Sequence, residues 1–151
     1  MSGQLGMVNT GMQHSSPQHK LGSIHIDEYG RKWRYGKASG AVAAGKVAQM
    51  TKDNTYVFSA MTTTTLNSQK YGLGAPDIDV SDTYYAWFFI GYGVFTIIVA
   101  NAVAANTALT STGTAGVLGT GGTALPGVES QALGVTNTRV SVYVQGELAV
   151  V

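Results

Sequence analysis

Residues 84–99 read Tyr84-Tyr85-Ala86-Trp87-Phe88-Phe89-Ile90-Gly91-Tyr92-Gly93-Val94-Phe95-Thr96-Ile97-Ile98-Val99. They hold the densest aromatic cluster of the chain and its longest β-branched run, inside an uncharged span bounded by Asp82 and Glu129. That span is either a core or a membrane anchor. A membrane helix needs roughly 20 predominantly apolar residues, and Tyr84 to Ala105 is long enough. Composition argues the other way. Gly91 and Gly93 would each weaken a helix by about 1 kcal/mol relative to Ala, and the residues on either side of them favour strands. No Lys or Arg stands close to either end to set an orientation. Two β-prone runs joined by a short glycine-containing link predict a β-hairpin that reverses at Gly91-Tyr92-Gly93.

The rest of the chain carries the same bias. Only 11% of its 151 residues are charged, against about 25% in an ordinary globular protein. Glycine is abundant, at 20 residues, and Ala, Thr and Val recur throughout. This length predicts one domain. The composition predicts an all-β fold: a compact β-sandwich or small β-barrel over residues 23–151, preceded by an extended or disordered N-terminal arm at 1–22. So few charges also predict a surface largely covered by a partner or by further copies of the chain. The net charge of +1 gives no global pull toward nucleic acid or acidic lipid. With no cysteine there are no disulfides, thiolate metal sites or cysteine nucleophiles. The first residues lack the pattern of a secretory signal, which predicts assembly in the cytoplasm.

The arm is polar, rich in Gln, Ser, Gly and His, with Leu5, Met7, Val8 and Met12 as scattered apolar points that can dock it on a partner. Ile24 and Ile26 alternate with His25 and Asp27 as in a strand. Glu28 to Arg31 reads as a turn, Lys32 to Tyr35 as a strand with one wet or interfacial face, and Gly36 to Gly40 as a loop. Ala41 to Ala48 reads as a turn and then a strand. Tyr56 to Met61 and Thr62 to Thr65 are β-prone. Leu66 to Asp79 reads as a loop, and Gly113 to Gly127 as a flexible loop or a string of tight turns. Arg139 to Gln145 is the cleanest strand, with Val140, Val142 and Val144 on one side. There is also an internal echo. Ala41-Val42-Ala43-Ala44-Gly45 follows the Trp33 segment, and Ala102-Val103-Ala104-Ala105-Asn106 follows the Trp87 segment. Gly45 and Asn106 both tolerate left-handed geometry, so the echo predicts similar β-turn-β units packed together.

Candidate chemistry is sparse. His14, His19 and His25 lack metal-ligand spacing, and no metal or other cofactor is expected. Asp77, Asp79 and Asp82 form an oxygen cluster without the glycine and closing glutamate of a calcium loop, and read as a solvated loop. Arg31, Lys32, Arg34, Lys37, Lys46 and Lys52, with Tyr29, Trp33 and Tyr35, form a basic run that can meet nucleic acid or an acidic protein face. The small net charge favours protein, with Arg31, Lys32, Trp33, Arg34 and Tyr35 as contact residues. No Gly-x-Ser-x-Gly, His-Glu-x-x-His or Walker pattern occurs, so the chain is not expected to be an enzyme.

The arm, Asp27-Glu28-Tyr29-Gly30-Arg31-Lys32-Trp33-Arg34-Tyr35 leading to Ala41 to Gly45, the hydrophobic central stretch, Ala102 to Gly116 and the final Val-rich strand together resemble the capsid decoration (cement) proteins of tailed bacteriophages. The resemblance implies a compact β domain that is often trimeric and sits on the virion capsid surface. There it would bridge and stabilise subunits of the major capsid protein, with no catalytic residues, no nucleic acid and no membrane. Two alternatives stand beside it: a β-sandwich recognition domain on a virion surface that binds glycans or host receptors, and a single-span membrane protein.

Overall fold

The computed structural model describes residues 8–50, 55–61, 72–100, 103–122, 124–134 and 138–148. Leu5, Met7, Lys52, Thr62 to Thr65 and Ala102 lie outside them. The chain is all-β, as expected, with eleven strands and no helix among the described residues. The strands are β1 (Gln13–His14), β2 (Ile24–Ile26), β3 (Lys32–Ala38), β4 (Ala48–Met50), β5 (Val57–Ala60), β6 (Leu73–Pro76), β7 (Tyr85–Val99), β8 (Ala108–Ser111), β9 (Leu118–Gly119), β10 (Ala124–Ser130) and β11 (Thr138–Glu147).

The decisive stretch is not a hairpin. It is one strand of 15 residues, β7, which passes through Gly91-Tyr92-Gly93 without reversing. All three residues have positive φ, at 144°, 61° and 125°. Gly91 is demanded by a close approach: a β-carbon there would strike the carbonyl oxygen of Gly146 at the end of β11. The two halves of β7 therefore do not pair with each other. The first half pairs antiparallel with β3, and the second antiparallel with β11. Both partners are remote in sequence, which is why a rule based on neighbouring residues predicts a turn.

β7 is shared by two closed rings of five hydrogen-bonded strands. The first runs β7-β6-β4-β5-β3 and closes from β3 back to β7; the second runs β7-β9-β8-β10-β11 and closes from β11 back to β7. The rings repeat one another pair by pair. In each, the sole parallel pairing joins the opening strand to the third, β3 to β5 and β7 to β9. The register repeats as well. Arg34↔Phe88, Tyr35↔Trp87 and Lys37↔Tyr85 in the first ring correspond to Phe95↔Val142, Thr96↔Ser141 and Ile98↔Arg139 in the second. Turn hydrogen bonds follow suit: Gly45 N–H donates to Pro76 O at 2.9 Å and Asn106 N–H to Ser130 O at 2.7 Å.

The sequence echo thus marks a structural repeat. Gly45 and Asn106 are both left-handed, with φ of 77° and 59°, and Val42 and Val103 are both buried. One detail is corrected. β3 corresponds to the second half of β7, so Trp33 matches Val94 and not Trp87.

Side chains sort accordingly. Ala38, Ala48, Met50, Phe58, Ala86 and Phe88 fill the first ring. Ile97, Val99, Leu109, Leu118, Val128, Val140 and Val142 belong to the larger core that fills the second. Outside the first ring, Trp33, Tyr35, Trp87 and Phe89 form a layer continuous with that larger core. The first half of β7 is consequently buried on both faces, and so it reads as an unbroken apolar run instead of an alternating one.

Three predicted loops are partly strand. Gly36 to Ala38 continues β3, Leu73 to Pro76 is β6, and the glycine-rich 113–127 stretch contains β9 and the start of β10. In the first two, glycine serves close packing. A β-carbon on Gly36 would lie 2.5 Å from the Phe58 ring, and one on Gly74 would lie 2.9 Å from Phe88 Cβ.

Residues 8–22 lie against the domain. Gln13 and His14 pair with Ala86 and Tyr85 of β7. Gln13 Oε1 accepts from Ser81 N–H at 2.7 Å, and Gln18 N–H donates to the Tyr35 hydroxyl at 3.1 Å.

Candidate interaction surfaces

Strand alternation divides the predicted contact set. Trp33 and Tyr35 are 1% and 0% exposed; they are core residues and offer no surface to a partner, which corrects the expectation for both. The Trp33 ring packs edge-on against Phe89 and Phe95, and its Nε1–H donates to Asp27 Oδ2 at 3.0 Å. Tyr35 is roofed by His19 at 5.0 Å between ring centres and stacks on Tyr85. Burial pushes its hydroxyl pKa up, against the Gln18 N–H that lowers it. Buried rings cannot stack on bases, so of the three rings in the basic run only Tyr29 stays exposed.

The cations are dispersed. Arg31 Nε pairs with Asp27 Oδ2 at 2.7 Å, and Lys32 Nζ with Glu147 Oε1 at 2.6 Å. Arg34 lies over the Tyr56 ring at 5.5 Å and Lys37 over Tyr85 at 5.7 Å. The stem of Lys46 packs on Gly116. Of the arm's apolar points within the described residues, Val8 packs on the main core and Met12 is exposed.

The three aspartates serve the backbone and an ion pair. Asp77 meets Arg139 at 2.9 Å, Asp79 accepts from Ala44 N–H and Asp82 from Gly40 N–H, each at 2.8 Å. No cluster of metal-ligating residues occurs among the described residues. No helix among them is long and apolar enough to cross a membrane.

Two exposed features remain. The first is β2, which among the described residues ends the sheet and pairs only with β3. Tyr35 N–H donates to Ser23 O and Asp27 N–H to Arg31 O. Antiparallel alternation then turns the backbone groups of Ile24 and Ile26 away from β3. Both isoleucine side chains are exposed as well. Natural edge strands are guarded by shortness, charge or proline; this one is only three residues long but carries neither charge nor proline.

The second feature is the corner around the left-handed Gly91-Tyr92-Gly93 segment of β7. Tyr29, Tyr92, Val94 and Tyr143 are exposed there, and Val94 and Tyr143 are cross-strand partners. Asp27 builds the adjoining turn by accepting from Tyr29 N–H, Arg31 N–H, Arg31 Nε and Trp33 Nε1. Burial alone would raise the Asp27 pKa, but these hydrogen bonds outweigh it and hold the carboxyl below its usual value. The sequence places Tyr29 and Arg31 in the basic run but assigns no role to Ile24, Ile26, Tyr92 or Tyr143. The signals were nonetheless present: Tyr143 falls on the outward side of the alternating strand, and Tyr92 sits between two glycines.

No family model matches the chain, and no curated protein matches it in sequence.

Proposed function

We propose that the protein is a structural decoration (cement) protein of a virion capsid, one that joins neighbouring subunits of the major capsid protein and has no catalytic role. The observation that carries this reading is the β2 edge, where backbone groups turned away from β3 stand beside the exposed Ile24 and Ile26 with no charge or proline among them. Such an edge accepts an extended segment of another chain as an added strand, with main-chain hydrogen bonds supplying affinity and side-chain contacts specificity. The low charge of the chain and its sequence resemblance to tailed-phage decoration proteins support the same reading. Two rings locked by a common strand suit a bridging element that must resist deformation. Each contact gains about 25 cal/mol per Å² of apolar surface buried, and a shell multiplies that over many copies. A homo-oligomer, with a trimer favoured, would present several such edges at once.

The test is particle stability. Particles lacking this protein should open at lower temperature and under milder osmotic shock. Particles supplied with the Ile26→Lys variant should incorporate less of it than of the parent. Unchanged heat and osmotic resistance in its absence would sink the proposal.

A further inference from the structure

We propose that the corner formed by Tyr29, Arg31, Tyr92 and Val94 is a binding site for an uncharged oligosaccharide. This goes beyond the docking reading and uses a different surface from the β2 edge. A groove of about 430 Å³ runs between Tyr29, Arg31, Gly93 and Val94, within the roughly 300–1,000 Å³ typical of small-ligand sites. Both tryptophans are buried, yet Tyr29, Tyr92 and Tyr143 are 73%, 47% and 45% exposed. An exposed phenol ring offers an apolar face to the C–H face of a sugar and a hydroxyl to its rim.

Tyr92 adds an independent sign. Its φ of 61° is left-handed, which is unfavourable for a bulky residue and calls for an explanation at a functional site. Glycine would satisfy that backbone without strain, and glycine already stands on both sides. A tyrosine there places a ring at the surface.

Charge selects the ligand class. Asp27 neutralises Arg31, and Glu147 neutralises Lys32, whose Nζ lies 5.8 Å from the centre of the Tyr92 ring. The exposed Glu28 of the same turn adds one more carboxylate, so the corner has acceptors beside N–H donors and a slight negative balance. Hydroxyl groups both donate and accept, so a polyol can use such a surface, whereas a polyanion gains little from it. The four hydrogen bonds on Asp27 fix the turn that carries Tyr29, so little ordering is lost on binding.

Saturation-transfer NMR on the full chain, with cellohexaose, maltohexaose and chitohexaose in turn, tests the site. At least one sugar should receive transfer at its ring protons. Its affinity should fall about tenfold in Tyr29→Ala, as for the loss of one stacked ring. It should change by less than about twofold up to about 0.5 M salt, because the ligand carries no charge to be screened. Tyr92→Asn, which tolerates the left-handed backbone, should weaken it similarly, with an unchanged melting curve showing the fold intact. No transfer from any of the three sugars would overturn the proposal. So would affinity preserved in both variants, a steep salt dependence, or a chain dimer in sedimentation that Tyr29→Ala splits. Failure here would leave particle binding through β2 untouched, so the two proposals fall separately.

Discussion

The two rings share topology and register but are filled in different ways. In the first ring, Phe58 and Phe88 stack with centres 4.2 Å apart, and the positions around them shrink to Gly36, Ala38, Gly74 and Ala86. In the second ring, the corresponding positions hold Leu118, Val142, Ile97, Val99, Val128 and Val140, all of middling size. One cage is packed by two large rings among glycines and alanines, the other by uniform aliphatics. At the mouth the difference sharpens. Phe95 of the second ring corresponds to Arg34 of the first, where a cavity of about 30 Å³ remains beside Met50, Phe58 and Leu148. Arg34 Nε is buried there without a hydrogen-bond partner. The lesson is that hydrogen-bond register can be conserved within a molecule while volume is redistributed, because close packing constrains the sum and not each position.

The largest effect is expected where the rings meet. Gly91→Ala should lose about 3–5 kcal/mol in chemical denaturation, combining a strained φ with a clash against β11. A loss under about 1 kcal/mol would mean that β7 does not join the rings as described.

Next comes a test of unequal filling. Gly36→Ala should cost about 2–3 kcal/mol because its methyl meets the Phe58 ring. In a Phe58→Leu background the same change should cost markedly less, a coupling that a double-mutant cycle reads directly. Additive effects would refute the account of glycine making room for phenylalanine.

The equivalent turns give a smaller contrast. Gly45→Ala should cost about 1–2 kcal/mol, the penalty for a β-carbon in left-handed backbone, while Asn106→Gly should stay within about 0.5 kcal/mol. Equal responses to both changes would break the correspondence.

The weakest effect lies outside both rings. Hydrogen bonds depress the Asp27 pKa in the folded state, so this carboxylate contributes stability above its unfolded pKa of about 3.9. That contribution is lost as pH falls through the folded value. Asp27→Asn should flatten this acid limb of the stability profile, and an unchanged limb would assign acid sensitivity elsewhere.

Much of the secondary structure was legible. Lys32 to Tyr35 and Arg139 to Gln145 carry alternation that survives in the fold, because each has one buried and one wetter face, whereas Ile24 to Ile26 is a strand as read but its isoleucines face outward. The Ala-Val-Ala-Ala echo located a real repeat. Glycine was misread where its role was spacing. Gly36 and Gly74 lie within strands because a phenylalanine ring occupies the place of a side chain. Of the candidate contact residues, Trp33 and Tyr35 fell inside because alternation says that two faces differ, not which one is covered. Tyr92 became a surface feature only once the fold left the Gly91-Tyr92-Gly93 segment at an open corner, whereas Tyr143 already fell on the outward side of its alternating strand.

By itself, the order of residues determined an all-β chain, a strand-forming central stretch and two matching turns, since propensity, alternation and left-handed tolerance act over a few neighbours. Only the folded molecule decided that the central stretch runs straight on, that it belongs to two rings, and which face of β3 is hidden. Those outcomes depend on β3 and β11 meeting β7 from opposite ends of the sequence. Contacts of that kind are selected by the closure and packing of the whole molecule, and no short window of residues contains them.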